Sequence, residues 1–322
     1  MKRAALLAAL WCLSPFAGAA VAAPSVWLTA ALDKPRPQLT PSAQVERQAP
    51  ALSAARNEYE PLLVLVRSPQ AVTIQDVAVT VPARVTASVY RAAYYRVETP
   101  SSVLGAPGLW PDALIPVRDA YVGERRAALP YRLEANFTQL FWIDLFVTPG
   151  APAGRYAGSV TVSFAESPPQ RRDFVLQVHG FALPATASLK SNFGFDGGFL
   201  AKGHARRFDK EALLALVQRY NRAGLAHRVS LSGGSGVAPR VEVADGRVKV
   251  DWREYAREIA PALNDEPRLT STDVRGTSLF YRRLPQLAPQ YFKAWSDYFQ
   301  AHRIDTPLYA ITFDEPKTDE DF

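Results

Sequence analysis

One feature limits the folds open to this chain more than any other: its pattern changes near Leu189. From Ser25 to about Ala187 the text is short apolar runs, punctuated by Pro35, Pro37, Pro41, Pro50, Pro61, Pro69 and Pro82. Prolines so placed exclude long helices and mark turns or strand edges. Residues 61–66, 77–81, 141–147, 158–164 and 173–178 suit strands, with Pro168-Pro169 turning the chain between the last two. In those two strands Val160, Val162 and Phe164 share one face, as do Phe174, Leu176 and Val178. Such faces are expected to line the interior of an antiparallel β-sandwich over residues 23–187.

Beyond Leu189 the periodicity lengthens from two to nearly four residues. A strand at 191–195 leads through Gly197-Gly198 to a helix that Asp209 can cap, with Leu213, Leu216, Val217 and Tyr220 at helical spacing. Gly224 stands where a C-terminal cap belongs. A strand at 227–231 and a hairpin around Asp245-Gly246 follow. Asp251 and Glu254 then spell an Asp-x-x-Glu cap for a helix that carries Trp252, Tyr255, Ala256, Ile259 and Leu263 on one face. A third strand falls between Thr270 and Tyr281, without clear limits. Pro289 opens a helix with Phe292, Trp295 and Phe299 on one side, and 307–313 is an almost continuously apolar strand. The order β-α-β-(hairpin)-α-β-α-β builds a parallel sheet with right-handed crossovers, either doubly wound or closed as a (β/α)₈ barrel. A barrel needs about 250 residues, so residues 188–322 are expected to be the first half of one, truncated after its fourth strand.

The opening residues set the compartment. Lys2 and Arg3, an apolar stretch from Ala4 to Leu13 and a small-residue tail ending in Ala20-Val21-Ala22 have the layout of a secretory signal peptide over residues 1–22. The protein is expected to be exported, to the periplasm or the medium, with no membrane span. The only cysteine, Cys12, lies in that leader, so disulfides and thiolate metal sites are not expected in the mature chain. Without Lys2 and Arg3 the formal charge of +6 becomes +4. The remaining basic residues are scattered among acids, which is no footprint for nucleic acid. His179, His204, His227 and His302 lack ligand spacing, and neither a metal nor a cofactor is expected.

Asp314-Glu315-Pro316 follows the fourth strand. Loops at the C-terminal ends of parallel strands hold the active sites of such folds, so these acids are candidates by position. Adjacent carboxylates are useful when one is held ionised and the other keeps its proton. Pro316 holds Glu315 away from helical geometry. The bland alternative is a solvated acidic turn, continued by Asp319, Glu320 and Asp321. Phe195 and Asp196, with Gly197-Gly198, follow the first barrel strand and are candidates for the wall of a substrate cleft. Gly233-Gly234-Ser235-Gly236 lacks the Lys-Ser/Thr ending of a phosphate cradle and reads as a flexible loop. Trp110 and Pro111 read as a loop between strands.

Ala55-Arg56-Asn57-Glu58-Tyr59-Glu60-Pro61 before an apolar strand resembles the opening signature of the family 123 glycoside hydrolases and their uncharacterised relatives. Three more passages resemble that group. They are Tyr95-Arg96-Val97-Glu98 leading to Gly108-Leu109-Trp110-Pro111-Asp112-Ala113-Leu114, then Trp142-Ile143-Asp144, and Pro149-Gly150-Ala151-Pro152-Ala153-Gly154-Arg155-Tyr156-Ala157-Gly158. The resemblance spans nearly the whole mature chain. It implies an N-terminal sandwich before a (β/α)₈ barrel, with an Asp-Glu pair ending the fourth strand. It also implies retaining β-N-acetylgalactosaminidase-like chemistry on a glycan, in which the sugar's 2-acetamido oxygen attacks the anomeric carbon. In that mechanism Asp314 would steady the acetamido group and Glu315 would be acid and then base. Two rivals remain: a two-carboxylate retaining glycosidase, and a non-catalytic glycan-binding or surface protein on the same scaffold. An inactive gene fragment is a third outcome.

Overall fold

The computed structural model describes residues 23–31, 34–195, 197–204, 209–231 and 237–311. The leader, Asp196, residues 232–236 and the Asp314-Glu315 pair lie outside the described residues. The first part of the chain is β-rich, with ten strands among its described residues. They are β1 (Ser25–Ala30), β2 (Ala51–Arg56), β3 (Glu58–Arg67), β4 (Val72–Thr80), β5 (Val85–Val97), β6 (Gly108–Pro116), β7 (Tyr131–Leu133), β8 (Thr138–Val147), β9 (Gly154–Phe164) and β10 (Gln170–Ala182). A short helix α1 (Ala43–Arg47) is capped by the Ser42 hydroxyl, which accepts from Val45 N.

Two five-stranded sheets result, in the orders β1-β3-β8-β5-β6 and β2-β10-β9-β4-β7. The β1–β3, β5–β6, β4–β9 and β4–β7 pairs are antiparallel. Alternation decides which residues are covered. Val160 and Val162 on β9 are fully buried and Phe164 nearly so, as are Phe174, Leu176 and Val178 on β10, as the two-residue period requires. Strand β3 departs from alternation: Leu62, Leu63, Val64, Leu65 and Val66 are all at 0% exposure. Its second face is covered by a local cluster of Trp27, Leu63, Leu65, Ala92 and Leu140, with Tyr94 and Trp142 against it. The continuous apolar run is therefore a strand buried on both faces rather than a misplaced helix. Trp110, expected in a loop, lies within β6. There Arg36 sits over its ring at 4.6 Å and its indole N–H donates to Ala106 O.

Gly158 explains one of the sequence passages. Its strand lies so close to the buried Phe174 ring that a methyl group at this position would overlap it. Gly158→Ala is expected to cost about 1–3 kcal/mol by overpacking, read as a lowered melting temperature. A variant as stable as the parent would show that the ring has room to move.

The later elements are helices, a hairpin and short parallel pairings: α2 (Gly197–Gly203), α3 (Lys210–Ala226), β11 (Arg240–Ala244), β12 (Arg247–Asp251), α4 (Arg253–Glu258), α5 (Ala260–Asn264), β13 (Thr272–Asp273), α6 (Thr277–Arg282), α7 (Ala288–Ala301) and β14 (Leu308–Tyr309). Asp209 caps α3 through Ala212 N at 2.8 Å, as expected. Gly224 is not the cap, since α3 continues to Ala226. The glycine is needed because a Cβ there would sit 2.8 Å from Val229 O and from Leu231 Cγ. Asp245 and Gly246 both take positive φ, 52° and 71°, closing the β11–β12 hairpin as its sequence calls for. Glu254 makes no capping box but pairs with Lys210. The expected single helix over 252–263 is split into α4 and α5 at Ile259, where Pro261, placed in the first turn of α5, has no N–H to continue the ladder. Its apolar face survives the break, with Tyr255, Ile259 and Leu263 buried.

The chain divides into two compact units. One takes the chain up to Ser53 with Glu60–Leu145 and Gly154–Gln177, while the other takes Ala54–Tyr59, Phe146–Ala153 and the chain from Val178 onward. Within the second, Arg228 in α_L geometry (φ 61°) donates to Asn57 O and, at 3.0 Å, to Pro184 O. Asn57 Nδ2 donates to Leu183 O at 3.0 Å. The Tyr59 ring lies 4.3 Å from that of His227 and 4.6 Å from that of Phe146. The Asn-Glu-Tyr passage is thus a structural clasp, and His227 is a packing residue. The main core of this unit gathers Tyr255, Ile259, Leu263, Phe280, Tyr291, Trp295, Tyr298 and Phe299.

Candidate active site

In the later part of the chain, parallel pairing joins Phe193 to Leu231 and β13 to β14. Thr272 faces Leu308 and Asp273 faces Tyr309. Side-chain hydroxyls beside these pairings tie the segments together further. Thr270 Oγ1 accepts from Ser191 N and shares a hydrogen bond with Ser230 Oγ, each at 2.9 Å. Thr270 N donates to Ser230 Oγ at 2.9 Å, Ser230 N to Ser191 Oγ at 3.2 Å and Ser271 Oγ to Ser191 O at 3.0 Å. Three segments some forty residues apart are tied at one point. Thr270→Val should leave Ser230 and Ser191 N short of partners and cost about 1–3 kcal/mol. Chemical denaturation would measure it, and a loss below a few tenths would mean that the ladder alone holds the segments.

One turn further along, Asp273 and Arg275 end the β13 segment. Arg275 Nε lies 3.1 Å from Asp273 Oδ1, both side chains being about 85% covered (15% and 14% exposed). The contact lacks the alignment of a hydrogen bond, and Oδ1 is buried without one. Burial pushes the Asp273 carboxyl above its usual range, and the Arg275 charge only partly offsets this. Tyr309 Oη is likewise buried without a hydrogen-bond partner, and its phenol is raised by burial and then by the nearby Asp273 charge. The guanidinium segment is braced from behind, since Tyr291 Oη donates to Arg275 O and Thr277 Oγ1 donates to Ile311 O at 3.2 Å. A carboxylate, a guanidinium and a phenol therefore meet at the C-terminal ends of two parallel strands, where α/β folds place their ligands.

The sequence reading missed this group. Asp273 and Arg275 fall inside the third strand expected between Thr270 and Tyr281, but its limits carry neither clear alternation nor a turn signal, so the strand end that holds them had no address. The expected cleft residue Phe195 lies elsewhere. It is half-buried, with its ring 5.5 Å from that of Tyr220 on α3. Together with Phe199, Leu200 and His204 it lines an open hollow of about 550 Å³, which none of the Asp273 group borders. Asp196, Asp314 and Glu315 fall outside the described residues. Groups of three or more potential metal ligands are absent among the described residues, and no helix there is long and apolar enough to cross a membrane.

Solved structures of known proteins offer a likeness of fold. The structure overlays on a family 123 glycoside hydrolase from Clostridium perfringens, analysed for glycolipid glycan hydrolysis, with a TM-score of 0.60 over 93% of this chain at 11% identity. The chain spans 59% of that protein's length. At that identity the likeness is one of fold. The sporulation control protein Spo0M from Bacillus subtilis and a PapD-like domain of human CEP192 overlap only at TM-scores of 0.27 and 0.23, which carry no argument. No family model and no curated protein matches the sequence.

Proposed function

We propose that this chain is the sandwich and first half-barrel of an exported retaining glycoside hydrolase of the β-N-acetylhexosaminidase, N-acetylgalactosaminidase-like type. The observation that carries the reading is the overlay of nearly the whole chain on a family 123 glycoside hydrolase fold. The passages around Asn57, Trp110, Trp142 and Gly158 support it from the sequence side. On this reading β13 and β14 belong to the third and fourth strands of a (β/α)₈ barrel, residues 188–322 are its first half, and Asp314 and Glu315 follow the fourth strand. The acetamido oxygen attacks the anomeric carbon while Glu315 gives its proton to the departing glycosidic oxygen. Asp314 stabilises the acetamido nitrogen as it becomes positive. Water then adds to the anomeric carbon, returns a proton to Glu315 and opens the oxazolinium ring with net retention.

The test is hydrolysis of aryl N-acetyl-β-galactosaminide beside the aryl β-galactoside that lacks the acetamido group. Turnover of the first alone, releasing the β-anomer, is the expected result. Equal turnover of both would favour a mechanism with two enzyme carboxylates. Glycan binding without turnover would make the protein a binding module.

A further inference from the structure

We propose that Asp273 and Tyr309 form a hydroxyl-binding pair that grips the ring of a glycan at the ends of β13 and β14. The proposal deepens the glycosidase reading and rests on it for the substrate class, while its geometry stands apart. Two observations point to a ligand. Asp273 and Tyr309 are register partners across a parallel pair, so their side chains leave the same face of the sheet side by side. And the two atoms that matter, Asp273 Oδ1 and Tyr309 Oη, are both withdrawn from water without a hydrogen-bond partner.

A buried acceptor and a buried donor left unmade are costly, and a site tolerates them where a ligand completes them. The chemistry of the pair selects that ligand. A carboxylate oxygen accepts from hydroxyls, a phenol both donates and accepts, and Arg275 beside them keeps the carboxylate charge matched. A neutral polyhydroxylated ring meets these demands, with one hydroxyl donating to Asp273 and bridging to Tyr309. A bound anion does not, because it would face the carboxylate. The pair is a binding and specificity element, since it moves no proton in the reaction.

Burial also sets a pH signature. The Asp273 carboxyl is raised, so it gains its proton at a higher pH than an exposed aspartate, and the acceptor is lost as pH falls through that range. The other groups facing it are the Arg275 guanidinium, Tyr309, whose phenol is raised by burial and stays protonated, and Tyr255 on α4, whose phenol burial likewise raises. Saccharide affinity should therefore weaken on the acid side in the parent, and this pH dependence should vanish in Asp273→Asn.

The experiment is calorimetric titration of the chain with N-acetylgalactosamine and with galactose, alongside KM and kcat on aryl N-acetyl-β-galactosaminide, for the parent, Asp273→Asn and Tyr309→Phe. Asp273→Asn should weaken saccharide binding and raise KM by about 10- to 100-fold, the range for a hydrogen bond to a charged group, with kcat within about threefold. Tyr309→Phe, which keeps the ring, should weaken binding about 3- to 10-fold. Saccharide binding by the parent that Asp273→Asn abolishes, with no hydrolysis by either, would retain the pair and discard the glycosidase reading. Normal hydrolysis with unchanged KM and affinity in both variants would do the reverse. A parent that binds no saccharide overturns both, and so would Asp273→Asn raising stability while leaving affinity untouched.

Discussion

Glu315→Gln is expected to lower kcat on N-acetyl-β-galactosaminides by about 10²- to 10⁴-fold, the range that a positioned proton donor contributes. The amide keeps the size and polarity of the side chain but has no proton to give. The deficit should depend on the leaving group. A nitrophenolate departs with little help, so its bond-breaking step suffers least, whereas an alkyl or sugar alcohol needs the proton and loses the full factor. On the proposed mechanism water attack also relies on Glu315 as base, so even the good leaving group should end in a slow second step, seen as a burst of phenolate. Asp314→Asn should cost a comparable factor without that leaving-group dependence, because the proposed mechanism gives it the positive acetamido nitrogen to stabilise. Full activity of Glu315→Gln on an alkyl glycoside would remove the residue from the mechanism.

Trp295→Ala carries the largest expected loss of stability. Its side chain is wholly buried on α7, with ring centroids at 5.0 Å from Trp252, 5.1 Å from Tyr255, 6.1 Å from Phe299 and 6.3 Å from Tyr291. Most of these meet edge-to-face, the arrangement that aromatic quadrupoles favour. Removing the indole opens a cavity that rings cannot easily refill, because they are stiff and hold one another. A cost of about 3–5 kcal/mol follows, measured as a lowered urea midpoint of the transition in the near-ultraviolet aromatic signal. Trp295→Phe, which keeps a ring, should recover more than half of it. A loss near 1 kcal/mol in the alanine variant would mean that the cluster collapses freely.

The elements written in local chemistry were legible in the sequence. Asp209 caps α3, Asp245-Gly246 turns the β11–β12 hairpin, Pro289 lies in the first turn of α7, and the alternating faces of β9 and β10 are covered. The misreadings share another cause, namely contacts made far along the chain. Gly224 resembles a helix stop, yet it is required by Val229 and Leu231 folding back on it. Trp110 resembles a loop residue among glycines and prolines, yet it pairs with Tyr95 in a long hairpin. Asp273 ends a poorly marked strand and Arg275 follows it before a short helix, and only the pairing with β14 brings Tyr309 beside them. Polar groups of this sort leave no periodic trace, so a site made of one residue from each of two strands is invisible until the register is known.

The clasp of Asn57, Tyr59, His227 and Arg228 has a consequence for how such a molecule can be inherited or rearranged. The unit that holds Trp295 draws on Ala54–Tyr59 and Phe146–Ala153 as well as on everything from Val178. A single genetic crossover near Ala187 would carry away the partners of Arg228 and His227 and leave an Arg aimed at carbonyls no longer present. Shuffling that unit onto another protein intact would need several breakpoints to fall correctly at once. Its two units are therefore expected to travel through evolution together, as one heritable block.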